Sequence, residues 1–157
     1  MKMGATFDVT GTYRYSLWRS WETVAPQVAF VMLNPSTADA RTDDATIRRC
    51  IRFAQTWGYG SLEVVNLFAL VATHPTQLQM RVDPVGAEND QYLLAAGQRA
   101  TTIILAWGNW GKLYQRDQAV LQLLAPYANL YCLGMNQTGQ PRHPLYVKAK
   151  SALVRFG

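Results

Sequence analysis

The sequence predicts an α/β fold, a single three-layer α/β/α domain with a central four-stranded parallel sheet and an N-terminal edge strand or hairpin. Four short apolar segments recur along the chain, and each is separated from the next by a segment long enough for a helix. This alternation is typical of right-handed βαβ units, because parallel neighbours need crossover connections. No repeat, low-complexity tract or linker interrupts the 157 residues, a length that buries a core without disulfides. We therefore expect one domain over residues 1–157.

The strands are predicted from hydrophobicity. The N-terminal segment 12–19 mixes β-forming residues with partial alternation, which predicts an edge strand or hairpin before the main sheet. The four segments that follow are continuous apolar runs, as buried parallel strands are. They cover residues 28–33, 62–67, 102–107 and 130–133.

The first crossover predicts the most clearly patterned helix, because apolar residues recur there every three or four positions. Thr42 or Asp43 can cap its start, and Gly58 can end it. Its apolar positions are Ile47, Cys50, Ile51, Ala54 and Trp57. Further helices are expected over residues 86–97, 113–124 and 143–154.

The composition is that of an ordinary globular protein, with 49% hydrophobic and 16% charged residues. No apolar run approaches the length of a membrane span, and the N-terminus lacks the apolar core of a secretory signal. We therefore expect a cytoplasmic protein with no membrane partner. Cys50 and Cys132 have no Cys or His at metal-ligand spacing nearby, so we expect buried thiols, no metal site and no cofactor.

The formal net charge of +5 favours approach to a polyanion, since each neutralised phosphate releases counterions. Charge alone is a weak signal, because many basic proteins never bind nucleic acid. We expect a nucleic acid or a nucleotide as the partner, and the sequence leaves the oligomeric state open.

Polar residues follow the carboxyl ends of the predicted strands, where open α/β sheets bind their ligands. They are Asn34, Asn66, the Trp107–Asn109 turn and His143. An Asn side chain both donates and accepts hydrogen bonds, so Asn66 can read the edge of a nucleobase. The alternative is that Asn66 only satisfies local backbone. These residues predict a polar pocket at one edge of the sheet.

Two of the strand exits carry proline, as Asn34-Pro35-Ser36 and His143-Pro144. Asn34-Pro35 can simply fix a tight turn, or its amide can position a water or a sugar. His143 can donate a hydrogen bond to an anion that develops on a leaving group, aided by the N-terminus of the predicted last helix. His74 lies in a predicted surface loop, and we interpret it as structural.

Carboxylates follow the first strand at Asp39, Asp43 and Asp44. Helix capping explains at least one of them, because acidic residues stabilise the first turn of a helix. Asp39 and Asp44 are also our candidates for a general base.

The ordered strand-end motifs resemble those of the uracil-DNA glycosylase superfamily, over about residues 28 to 150. Met32-Leu33-Asn34-Pro35-Ser36 is similar to the family's first motif, and Val64-Val65-Asn66-Leu67 to its base-reading strand. The 105–110 segment resembles its third-strand Leu-Trp-Gly motif, and Arg142-His143-Pro144-Leu145 its final His-Pro motif.

The resemblance implies a hydrolase that cleaves the N-glycosidic bond of a modified or deaminated base in nucleic acid or nucleotide. Asn34 would orient water, Asn66 would read the base and His143 would stabilise the departing base. Pro35, Ser36, Trp107 and Asn109 would bind substrate. The chain departs from the uracil-specific branch, because that branch's water-activating Asp is absent and Ser36-Thr37 stands in place of its aromatic residue.

Two other functions remain open. One is a non-catalytic nucleobase- or nucleotide-binding module, suggested by the missing Asp and by Tyr146 and Val147, which replace the Ser/Pro-rich DNA-wedging run of the glycosylases. The other is a protein-interaction domain, suggested by the aromatic-rich segment 13–18. The whole chain also resembles an uncharacterised bacterial family described only as a domain of unknown function, a resemblance that implies no activity.

Overall fold

The computed structural model describes residues 1–127 and 129–157, which form one mixed β-sheet with helices on both faces. Its strands are β1 (Lys2–Phe7), β2 (Arg14–Ser20), β3 (Gln27–Met32), β4 (Ser61–Asn66), β5 (Thr102–Leu105), β6 (Leu130–Cys132) and β7 (Val154–Arg155). Its α-helices are α1 (Ala45–Thr56), α2 (Asn89–Arg99) and α3 (Arg116–Leu124). Three 3-10 helices cover Pro75–Met80, Asn109–Gln115 and Pro144–Tyr146. The predicted α/β class is confirmed.

The sheet is larger than the sequence predicts. In the described part of the chain it has seven strands, in the order β1-β2-β4-β3-β5-β6-β7. The four strands predicted from apolar runs are neighbours in this order, and each adjacent pair among them is parallel. Antiparallel pairing adds β2 and β1 at one side and β7 at the other. The expectation of a four-stranded parallel sheet is therefore wrong, because both of its edges are covered by further strands.

The N-terminal segment forms a β1–β2 hairpin, and β2 lies inside the sheet because it also pairs with β4. Strand β1 escapes a hydrophobicity pattern because it is short, half-exposed and contains Gly4. A Cβ at Gly4 would lie 2.4 Å from Cε2 of Trp18, so only glycine lets the Trp18 indole cover this strand. The hairpin places the start of β2 beside the exit of β4.

Two hydrophobic cores lie on opposite faces of the sheet. One contains Phe30 of β3 with Ile47 and Cys50 of α1. The other contains Val31 of β3 with side chains of α2 and α3. Because successive strand residues point to opposite faces, β3 contributes to both cores, and the helices form a layer on each side of the sheet.

The first three helices arise where the pattern predicts them, with shifted ends. Asp44, and neither Thr42 nor Asp43, caps α1: its carboxylate accepts the N–H of Ile47 at 2.9 Å. Asp43 instead forms an ion pair with the fully buried Arg19, with 2.8 Å between Oδ1 of Asp43 and Nε of Arg19. Leu113 lies outside α3, because Leu113 itself is extended and the next two residues, Tyr114 and Gln115, are left-handed, so the helical backbone begins only at Arg116.

The predicted helix over residues 143–154 is wrong. Only Pro144–Tyr146 is helical, as a 3-10 turn, and the chain then extends to β7, which pairs with β6. Val147 is buried in the α1-side core, whereas Leu145 and Tyr146 are exposed, so the apolar residues do not form one helical face. Among the described residues, no helix is long and apolar enough to cross a membrane.

Candidate functional site

A cavity of about 660 Å³ lies at the carboxyl ends of β3, β4 and β5. Its size is within the range of pockets that hold small ligands. All but one of the sequence-predicted site residues line it. These are Asn34, Pro35, Ser36, Asp44, Asn66, Trp107, Asn109 and His143. The carboxyl ends of the parallel strands thus bring together side chains that are up to about a hundred residues apart in the sequence.

Backbone carbonyl groups hold the NH2 group of the Asn34 side chain in place. Its Nδ2 donates to the carbonyl oxygens of Pro35 and Ala72, both at 2.8 Å. The N–H of Ala72 in turn donates to the carbonyl of Pro35 at 2.9 Å, which ties the exits of β3 and β4 together. These bonds occupy both hydrogens of the amide and define its orientation, so Oδ1 is left as a fixed acceptor.

Asn66 ends β4 on the floor of the cavity and is only 1% exposed. Neither Oδ1 nor Nδ2 has a hydrogen-bond partner in the described part of the chain. Buried amides are almost always hydrogen-bonded, because an unmade bond costs about 1–3 kcal/mol. The local-backbone alternative does not hold among residues 1–127 and 129–157, since no backbone group there bonds to this side chain. Both amide atoms are covered from solvent, so a ligand that pairs with them must displace part of their cover.

His143 presents a neutral imidazole to the cavity. Its Nδ1 accepts the N–H of Leu145 at 3.1 Å, so the neutral ring carries its proton on Nε2. Burial lowers the pKa of His143, and the nearby Asp44 only partly opposes this shift. At neutral pH, Nε2–H is therefore a donor with no acceptor among the described residues. The aid expected from a following helix is wrong, because a three-residue 3-10 turn has almost no dipole.

Asp44 is the carboxylate that faces the cavity, and Asp39 is not. The oxygens of Asp44 accept the N–H groups of Ile47 at 2.9 Å and Ala38 at 3.3 Å. Asp39 is exposed outside the cavity, and one of its oxygens accepts the N–H groups of Arg41 and Thr42. These bonds lower the pKa of Asp39 and explain it as a turn residue. The structure therefore leaves Asp44 as the remaining candidate base.

Trp107 forms one wall, and two glycines shape the turn after it. Its Nε1–H donates to Gln140 at 2.8 Å, which connects β5 to the loop that leads to His143. A Cβ at Gly111 would lie 2.1 Å from Cδ1 of Trp107, and Gly108 adopts a φ of 77°. Both positions require glycine. Asn109 accepts hydrogen bonds from Asn136 and Thr138, so its amide oxygen is already used.

Arg14 is a cavity residue that sequence reasoning missed. It is the first residue of β2 and is 2% exposed. Burial lowers the pKa of the Arg14 guanidinium to about 10, while Asp44 opposes this shift, so the group stays charged at neutral pH. A search at the carboxyl ends of parallel strands cannot find Arg14, because Arg14 lies at the start of an antiparallel strand. The hairpin places this strand start beside the pocket.

Exposed apolar side chains form the rim of the cavity. Trp110 is 37% exposed and Tyr146 is 81% exposed, and Leu145 lies beside them. Aromatic surfaces at a pocket mouth provide stacking platforms for bases, and every base has a π-face. His74, interpreted as structural, is exposed at the start of the Pro75–Met80 turn.

The described residues contain no group of three or more His, Cys, Asp or Glu side chains that could hold a metal ion. Cys50 and Cys132 are free and buried, and burial raises the pKa of the Cys50 thiol above its ordinary value.

Comparison with known proteins identifies a family and no activity. A family model described as "Protein of unknown function (DUF1643)" matches residues 14–145. No curated protein and no solved structure matches the chain. The matched region begins at Arg14 and ends at Leu145, so it contains the whole cavity apart from Tyr146.

Proposed function

The chain belongs to the DUF1643 family, whose description assigns no activity, and we propose from its cavity that it hydrolyses the N-glycosidic bond of a nucleobase in nucleic acid or nucleotide. The observation that carries this proposal is the amide of Asn66, which is buried in the cavity and has no hydrogen-bond partner among the described residues. A nucleobase edge offers the mixed donors and acceptors that satisfy such an amide.

The remaining polar groups supply what the reaction needs. The bond between C1′ and the base nitrogen breaks, and the base leaves with the electron pair. His143 stabilises the negative charge on the base by donating a hydrogen bond from Nε2. Water, oriented by Oδ1 of Asn34, forms the new bond to C1′, and its proton passes to Asp44 and then to the departed base.

A single-turnover assay of base release tests this proposal. The substrates are oligonucleotides and nucleotides that carry deaminated or modified bases. We expect release to fall about 100-fold in His143→Asn, because Asn still caps the turn but cannot replace the imidazole donor. His74→Asn, which changes the other histidine, is the matched control and should leave the rate unchanged. The hydrolase proposal fails if the intact protein releases no base, or if Asn34→Ala and His143→Asn release it at the original rate.

The second candidate is a nucleobase-binding module without catalysis. It is favoured by the bonding of Asp44, whose two oxygens already accept backbone N–H groups, so each has only one lone pair left to accept a proton from water. Calorimetric titration with free bases separates the two functions. Binding that Asn66→Ala abolishes, together with no base release, would establish the module. Absence of any binding would contradict the binding module, whereas the hydrolase is decided by the assay of base release.

A further inference from the structure

Arg14 carries hydrogen-bond donors for which the described residues provide no acceptor. Its Nη1 donates to the carbonyl of Ala38 at 3.1 Å. Its Nε is buried without a partner, and Nη2 forms no hydrogen bond with the described residues. The Nε–Nη2 side of the guanidinium is one of the two edges with which arginine binds a pair of acceptors.

No carboxylate of the described residues forms an ion pair with this buried cation. Asp44 is close enough to affect its pKa, but both oxygens of Asp44 are bonded to backbone N–H groups. The two other buried arginines, Arg19 and Arg116, each pair with an aspartate. Arg14 therefore differs from them, and it is the one that lines the cavity. Nε, which is buried without a partner among the described residues, and Nη2, which forms no hydrogen bond with them, are therefore left to bind an acceptor on a ligand.

Arg14 and Asn66 together set out what a ligand must offer. Arg14 contributes two donors, and the amide of Asn66 contributes one donor group and one acceptor. The complementary ligand has two adjacent acceptors, one of which can accept twice, followed by a donor. A 6-oxopurine has this order along its edge: N7 accepts, O6 accepts twice, and N1–H donates.

We propose that Arg14 is a second base-reading residue and that the cavity selects 6-oxopurines, with Arg14 donating to N7 and O6 while Asn66 pairs with O6 and N1–H. This inference rests on the proposed function and names its substrate class. Adenine is rejected because its N6 amino group places a donor against Arg14. Cytosine offers adjacent acceptors at N3 and O2 and a donor at N4, but it leaves Nδ2 of Asn66 unpaired. Uracil has no pair of adjacent acceptors.

Equilibrium binding of free bases tests the inference without requiring catalysis. The probes are hypoxanthine, adenine, cytosine and uracil, titrated calorimetrically against the intact protein. We expect hypoxanthine to bind at least about tenfold more tightly than each of the others, since one bidentate contact discriminates by roughly that factor or more. Arg14→Lys keeps the charge but loses the pair of parallel donors of the guanidinium, so it should reduce the preference for hypoxanthine about tenfold. Arg81→Lys, at an exposed arginine outside the cavity, is the control and should keep it.

The outcomes separate this inference from the proposed function. If another base binds as tightly as hypoxanthine and Asn66→Ala abolishes that binding, the 6-oxopurine inference is overturned and the proposed function stands. If a folded Arg14→Lys retains the full preference, Arg14 is structural and the inference is again overturned. If Arg14→Lys does not fold, as judged by circular dichroism, the ranking of bases by the unmodified protein decides. If no base binds, the 6-oxopurine inference is overturned, and the assay of base release decides the proposed function separately.

Discussion

Two buried asparagines show how differently the same side chain is used in this molecule. Asn89 is fully buried, and its Nδ2 donates to the carbonyls of Asn66 and Leu67 at 2.9 and 3.1 Å. Asn66 is equally buried, but its amide bonds to nothing in the described chain. Asn89 thus stabilises the exit of β4, whereas Asn66 costs stability in the absence of a ligand. Oδ1 of Asn89 is also buried without a partner among the described residues, but its Nδ2 is bonded, whereas neither polar atom of the Asn66 amide is.

We predict that Asn66→Leu raises the free energy of unfolding by about 1 kcal/mol, because it removes an unpaired buried amide at similar volume. Asn89→Leu should lower it by about 2 kcal/mol, because two backbone carbonyls lose a donor. Urea denaturation at neutral pH measures both changes. A large loss of stability in Asn66→Leu would contradict the assignment of Asn66 as a ligand-binding group.

His143 links the site to pH. Its pKa is lowered by burial, so the folded state binds this proton less readily than the unfolded chain does. Its contribution to stability is therefore fully present above the unfolded pKa of about 6.5 and is lost as pH falls through the folded pKa. We expect the difference in unfolding free energy between the unmodified protein and His143→Asn to shrink as pH falls below about 6.5. A pH-independent difference in denaturation experiments would show that His143 does not titrate in this way.

For individual residues, the sequence predicts most of the polar side chains that line the cavity. Asn34, Asn66 and His143 follow strand ends, and a parallel sheet places such positions together. Arg14 could not be predicted, because its burial depends on the hairpin and on the carbonyl of Ala38, which are tertiary contacts. The structure places Asp39 outside the cavity, because its short side chain closes a local turn.

The elements themselves are predicted where hydrophobic burial dominates. The apolar runs of β3 to β6 and the 3.6-residue pattern of α1 are clear because these segments lie in the centre of the fold. Strands β1 and β7 were missed because one is half-exposed and the other has two residues, so neither carries a periodic signal. The helix ends differ from the predicted ones because several polar residues can cap a helix N-terminus, and tertiary contacts select which of them does. Asp43 is taken by Arg19, which leaves the cap of α1 to Asp44.

The N-terminus of α1 combines a structural and a proposed catalytic role in Asp44. We predict that Asp44→Ala lowers the free energy of unfolding by about 1 kcal/mol, because the N–H of Ile47 loses its acceptor. Asp44→Asn should keep most of the stability, because Asn caps equally well and loses only the longer 3.3 Å bond from the N–H of Ala38. Base release should be lost in both variants, since neither side chain can accept a proton. Thermal denaturation and the single-turnover assay, run in parallel, separate the roles. Full base release by Asp44→Asn would remove Asp44 from the reaction.

At the scale of the whole molecule, the sheet explains why one cavity forms where it does. From β3 the chain first adds β4 on one side of β3 and then β5 on the other side, so the direction in which strands are added reverses at β3. The connections that leave β3 and β4 therefore diverge to opposite faces, and a crevice opens between them at the carboxyl edge. Antiparallel β2 closes one side of this crevice with Arg14, and the loop from β6 closes the other with His143. Apolar runs predict the centre of this arrangement, but not the antiparallel strands that complete it.

The net charge of +5 becomes relevant at the mouth of the cavity. Lys148 and Lys150 are exposed just beyond Tyr146, on the chain that leaves the rim. Cations placed there can contact the phosphates that flank a base held in the cavity. We therefore expect a single-stranded polymer to fit better than a free nucleotide, because it presents several phosphates to this side of the molecule.

We predict that a short single-stranded oligonucleotide binds with an affinity that falls steeply from about 50 to 200 mM salt. Lys148→Gln combined with Lys150→Gln should reduce the slope of log K against log salt by about 1.4, since each single-strand phosphate contact contributes about 0.7. The matched control is Lys2→Gln combined with Arg81→Gln, which removes the same charge from exposed positions outside the cavity. Fluorescence anisotropy across a salt series measures all three proteins. Equal changes in the two double variants would mean that only net charge matters, whereas a flat salt dependence of the unmodified protein would favour a free nucleotide as the ligand.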